Sequence, residues 1–199
     1  MSDQPLHPSR RTALKRLSVG AGAMAVWPYV SDESAMTFAR IQAAQQAPAP
    51  VFLSAAQYAA VDAIAETIIP ADEQSPGARA ARVADYIDLL LSESDSATQQ
   101  TWAVGLVALD QASRARYGRP AAELTPEEST ALLTGLSQNE ANPQTPLEEF
   151  FKATKDATIR GYYTSEIGIH QDLKYQGNRM IAEFVGCTHP EHGYTPSGS

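Results

Sequence analysis

The sequence predicts an all-α protein: a compact bundle of about five helices followed by a long irregular C-terminal segment. Three observations predict it. Apolar residues recur at helical spacing in five successive stretches. No stretch sustains apolar–polar alternation, and β-branched residues do not cluster, so strands leave no signature. Two helix starts also share one pattern, Thr125-Pro126-Glu127-Glu128 and Thr145-Pro146-Leu147-Glu148. Each places Thr at the cap, Pro at the first helical position and Glu at the third, a capping box with the favoured proline.

Residues 1–30 read as a targeting segment rather than as part of the fold. Ser9-Arg10-Arg11-Thr12-Ala13-Leu14-Lys15 precedes a moderately apolar run from Leu17 to Val30. An arginine pair followed by a Gly/Ala-rich apolar run is the order of a twin-arginine export signal, an address read by the translocase. Arg10 and Arg11 are its expected readout. The run holds Gly20, Gly22 and Pro28, so it is a poor membrane span. Residues 31–50 are rich in Ala, Gln and Pro and read as a linker. Within them Ala47-Pro48-Ala49 has the small-x-small spacing of a processing site, with an awkward proline.

The helical domain is expected over residues 51–190. Ser54 caps a first helix with Tyr58, Val61, Ile64, Ala65 and Ile68 on one face, ended by Ile69-Pro70. A loop, residues 71–77, leads to a second helix over residues 78–91, with Val83, Tyr86, Ile87 and Leu90 inward. A third spans residues 96–117, carries Trp102, Leu106, Leu109 and Ala112, and stops at Gly118 and Pro120. The fourth starts at Thr125 and ends near Ser137. The fifth starts at Thr145 and carries Leu147, Phe150, Phe151, Thr154 and Ile159 to Gly161.

From Gly161 to Cys187 the helical period fades. Glycines punctuate a stretch rich in aromatic residues, among them Tyr162, Tyr163 and Tyr175. A segment of this length is costly to order alone and needs a surface to pack on. That surface is either the chain's own helices or another protein. Residues 191–199 read as a flexible tail.

Net charge is −8, unevenly spread: the first 49 residues hold five Lys/Arg against three Asp/Glu, and the remainder ten against twenty. An acidic body argues against nucleic acid as a partner.

Chemistry-bearing motifs are scarce. No phosphate loop, nucleotide fingerprint or nucleophile motif occurs. Cys187 is the sole cysteine, which excludes a haem-attachment pair within this chain. Cys187, His189 and His192, with His170 upstream, are the nearest approach to a metal site, but Pro190 interrupts them. Asp85 and Asp88, three apart, read as a solvated helix face. Cys187 is either a small buried apolar group or the half of a disulfide to another polypeptide.

Residues 52–190 resemble the gluconate 2-dehydrogenase subunit 3 family. The resemblance rests on Ala63-Ile64-Ala65-Glu66-Thr67-Ile68-Ile69-Pro70-Ala71-Asp72, with Ser75-Pro76-Gly77-Ala78 and Val83-Ala84-Asp85-Tyr86-Ile87 after it. It rests also on Gly161-Tyr162-Tyr163-Thr164-Ser165, and on Tyr175-Gln176-Gly177-Asn178 with Gly186-Cys187. Glu166 stands where the family pattern has proline. The resemblance implies a non-catalytic small subunit of a periplasmic complex, membrane-associated only through that complex. No cofactor is expected in this chain. FAD would lie in a large subunit of the glucose-methanol-choline (GMC) oxidoreductase type. Haem c would lie in a multihaem cytochrome c where a third subunit is present. The small subunit would stabilise the flavoprotein and escort it through twin-arginine export. The contact is expected at Gly161, Tyr162, Tyr163, Thr164, Ser165, Tyr175, Gly177, Asn178 and Cys187. A competing expectation is a free-standing periplasmic metal- or sugar-binding protein that uses the His/Cys-containing C-terminus.

Overall fold

A computed structural model describes residues 31–44, 49–73, 75–175 and 177. The fold is all-α, and no strand forms among the described residues. In chain order the helices are α1 (Asp32–Ala43), α2 (Ala55–Ile68), the single turn α3 (Gly77–Ala80), α4 (Val83–Glu93) and α5 (Ser96–Tyr117). A 3-10 turn (Ala121–Glu123), α6 (Pro126–Ser137), α7 (Pro146–Tyr163) and a π-helix (Ile167–Asp172) follow.

The helix starts are set by side chains. A helix leaves its first N–H groups without internal partners, and a short polar side chain satisfies one. Ser54 accepts from Gln57 N at 3.3 Å while Gln57 Oε1 accepts from Ser54 N at 3.0 Å. Thr125 with Glu128 and Thr145 with Glu148 close the two boxes read from the sequence. Asp95 caps α5 through Thr98 N at 2.8 Å, and Gly118 at φ 73 ends it in the left-handed region.

Helix α7 is the hub, in contact with α2, α4, α5, α6 and the π-helix. Its inner face buries Phe150, Phe151, Thr154, Ala157, Thr158 and Tyr162. It meets α5 closely because Gly105 faces it: a methyl there would lie 2.3 Å from Cβ of Phe150. The space is shared by Trp102, whose ring meets Phe150 edge-on at 5.3 Å. Val61, Ile64 and Ala65 from α2 and Val83, Tyr86, Ile87 and Leu91 from α4 complete the core.

Three expectations need correction. Residues 31–50 are not a linker throughout, because α1 occupies most of the stretch and buries Phe38 in the core. The helix expected over residues 78–91 is broken: Arg82 takes φ 58, so α3 and α4 meet at an angle instead of running on. A non-glycine residue there is uncommon and is held by its side chain, whose Nε lies 2.9 Å from Asp85 Oδ2. Asp85 and Asp88 are buried rather than solvated. The Asp88 carboxylate accepts from Val51 N at 2.6 Å, Phe52 N at 3.0 Å and Leu53 N at 2.7 Å. It fixes the chain as it enters α2.

Candidate partner-docking surface

The loop after α2 closes on itself. Asp72 Oδ1 accepts from Ser75 N at 2.7 Å, and Asp72 N donates to Ser75 O at 2.8 Å. Glu66, from the last turns of α2, accepts from Ala71 N at 3.2 Å and Arg79 N at 2.7 Å. Gly77 takes φ 82, and a Cβ there would lie 2.6 Å from Ala71 N, so both its conformation and its close approach require glycine. Once closed, the loop aims Ser75 inward, where its hydroxyl hydrogen-bonds the phenol of Tyr162.

Tyr162 is fully buried. Burial, followed by the negative field of Asp172, pushes its phenol up to about 12. It therefore stays neutral and protonated at ordinary pH. Beside it Gly161 lets Tyr86 approach: a methyl at Gly161 would lie 2.7 Å from Cδ1 of that ring. Three stretches of sequence thus converge on one joint, the loop around Ser75, Tyr86 on α4 and the end of α7.

Past the joint the backbone changes pitch. Ser165, buried, donates from Oγ to Tyr162 O at 2.6 Å and accepts from Gly168 N at 3.0 Å. Leu173 N donates to Gly168 O at 2.9 Å, the longer-range bond of the π-helix that occupies Ile167–Asp172. The turn packs so tightly that a Cβ on Gly168 would come within 2.1 Å of Tyr162 O. The segment expected to be irregular is therefore helical as far as Asp172.

This base presents an apolar rim to solvent. Ile159, Tyr163, Leu173 and Tyr175 are exposed by 39%, 39%, 59% and 42%. Ile159 and Tyr163, four apart, share the outer face of α7, so Ile159 is not a core residue as the periodicity suggested. Tyr163 meets the Tyr162 ring edge-on at 5.1 Å. A hydrogen bond to Asp172, with burial second, raises its phenol above the usual tyrosine value. Tyr163 is thus held at one side by a buried ring and at its tip by a carboxylate.

The structure sorts the expected contact residues. Tyr163, Tyr175 and Gly177 are exposed, and Gly177 takes φ 88. Thr164 is half-buried and donates from its hydroxyl to Arg160 O at 2.8 Å, finishing α7. Gly161, Tyr162 and Ser165 are buried within the chain's own fold, so Tyr162 cannot serve as an anchor for another protein. Ile159 and Leu173 are also exposed and were not among the expected contact residues. Ile159 fell in a core-like period, and Leu173 is a single apolar residue among polar ones. Arg10, Arg11, Asn178, Cys187, His189 and His192 lie outside the described residues.

Among the described residues no group of three His, Cys, Asp or Glu is placed to hold a metal, and His170 is exposed on the π-helix. Two shallow surface hollows lie along α6, at Pro126, Glu127, Thr130 and Ala131, and beside α7, at Pro143, Glu149, Lys152, Ala153 and Asp156. No helix among the described residues is long and apolar enough to cross a membrane.

No curated protein and no solved structure matches the chain. A family model does: the one described as gluconate 2-dehydrogenase subunit 3 matches residues 55–181, which take in the loop at Ser75, the joint at Tyr162 and the exposed rim, and the chain belongs to that family.

Proposed function

We propose that this chain is the non-catalytic small subunit of a periplasmic FAD-dependent dehydrogenase complex that oxidises sugars or polyols. Its large partner is a flavoprotein of the GMC type, which it stabilises and escorts through twin-arginine export. A multihaem cytochrome c accepts the electrons where a third subunit is present. The family supplies the accessory subunit of a dehydrogenase complex as the coarse role. The observation that carries the finer reading is the rim of Ile159, Tyr163, Leu173 and Tyr175, exposed on a base that the family-matched residues lock in place. Tyrosines on a rigid support bury large area at low entropic cost, the property of interface anchors.

The test uses the tagged full-length chain in its native host. The expected result is co-purification of a large polypeptide with flavin absorbance. Tyr163→Ala and Tyr175→Ala are each expected to weaken that association about thirtyfold, the equivalent of about 2 kcal/mol. Their melting temperatures should stay near that of the parent. Purification without any flavoprotein would overturn the reading. Changing Arg10 and Arg11 together to Lys is expected to leave both polypeptides in the cytoplasm. Fractionation that finds the flavoprotein exported regardless would remove the escort role.

A further inference from the structure

We infer that α1 is a permanent part of the mature subunit, so that a processing peptidase cuts ahead of Ser31 and not at Ala47-Pro48-Ala49. The reading of residues 1–30 as an export signal supplies the reason for a cut. The place of the cut follows from how α1 is held.

Both of its ends are fastened to the body. At the start, Glu93, the last residue of α4, accepts from Ser31 N at 2.8 Å, from Ser31 Oγ at 2.6 Å and from Ser34 Oγ. Burial alone would raise this carboxyl. The hydrogen bonds from Ser31 and Ser34 outweigh it and hold the carboxyl below the usual glutamate value. Its contribution is therefore complete above the ordinary glutamate range and is lost as pH falls through the depressed value.

In the middle, Phe38 is buried and its ring meets Tyr86 edge-on at 5.5 Å. At the end, the Arg82 guanidinium donates from Nη1 to Ile41 O and, at 3.4 Å, to Ala44 O. Gln42 Nε2 donates to Ala81 O at 3.2 Å. The C-terminal carbonyls of α1, which a helix leaves without internal donors, thus receive a cation.

Hydrolysis of a peptide bond at residues 47–49 would free α1 as a short fragment. Arg82 would lose both carbonyl acceptors, and its Nη2 is already buried without a partner. Tyr86 would lose its cover on one side, and Tyr86 is the ring against Gly161 at the joint. A cut ahead of Ser31 costs none of this. The fastening begins at the backbone N–H of Ser31 itself, so every contact survives with Ser31 retained.

Two measurements test the inference. The first is the intact mass and N-terminal sequence of the chain purified with its complex from the native host. A first residue between the Arg10-Arg11 pair and Ser31, or at Ser31 itself, is expected; a chain in the complex that begins after Ser31, or that still carries Arg10 and Arg11, overturns the inference. The second is the melt of full-length Phe38→Ala, expected to fall by roughly 10 °C because a buried aromatic is lost. An unchanged melt also overturns the inference, since α1 would then be dispensable. A chain found uncut in the cytoplasm would remove the export reading, and the Phe38→Ala melt would still decide the role of α1.

Discussion

Tyr162→Ala is expected to lower stability by about 3–5 kcal/mol, the usual cost of deleting a buried aromatic side chain. For a domain of this size that is a fall in melting temperature of roughly 10–15 °C. The variant removes a fully buried ring, the partner of the Ser75 hydroxyl and the edge against which Tyr163 rests. Tyr162→Phe isolates the hydroxyl and should cost about 1 kcal/mol. The pH dependence follows from the raised phenol. The folded value of about 12 exceeds the ordinary 10.0, so the contribution is full below about pH 10 and is lost as pH climbs toward 12. Thermal melts across that range check it, and Tyr162→Phe should remove this residue's share. Parent-like melting of Tyr162→Ala, combined with loss of flavoprotein binding, would show that Tyr162 faces the other subunit and that the joint described above is wrong.

Asp88→Ala is expected to cost about 3 kcal/mol. It strands the amides of residues 51, 52 and 53 around an emptied acceptor, and a buried donor left unpaired costs about 1–3 kcal/mol. The exposed side chain of Val51 marks the end at which water relieves part of the loss; the buried Leu53 marks the end at which it does not. Asp88→Asn keeps one carbonyl oxygen and should fall between the parent and the alanine variant. Melting of Asp88→Ala within about 2 °C of the parent would mean that the three amides find other acceptors.

These two residues also mark what a linear reading can and cannot reach. The capping boxes at Thr125 and Thr145 were legible because their partners lie three residues away. Gly118 was legible because a left-handed helix end favours glycine whatever surrounds it. Asp88 was not, since its donors lie more than thirty residues upstream and nothing in its own neighbourhood announces them. Tyr162 was not, because a tyrosine serves a core or an interface equally well. Its inward direction is decided by Ser75, 87 residues away. Helix α1 escaped notice because its signals, Ser31 as cap and Asp32 and Glu33 in the first turn, sit in a stretch whose composition suits a linker. Its helicity comes from docking more than from propensity. Arg82 carries no sequence mark of its left-handed backbone. In the surface rim, the tyrosines were visible by residue type, but the sorting of Tyr162 inward and Tyr163 outward was fixed by how the end of α7 packs on the Ser75 loop.

The bond between Ser75 and Tyr162 has a consequence in time. A ribosome delivers the loop at Ser75 long before it delivers the residue that completes it. Until then the loop's inward hydroxyl lacks the phenol, and Tyr163 lacks the buried ring that steadies it. Contacts this far apart along the chain also form late, because loop closure has to be met before they contribute. A nascent or truncated polypeptide therefore displays no finished rim, however many of its helices have formed. Recognition through Tyr163 would act as a test of completeness, passed only by a chain whose Ser75 loop and Tyr162 have already found each other.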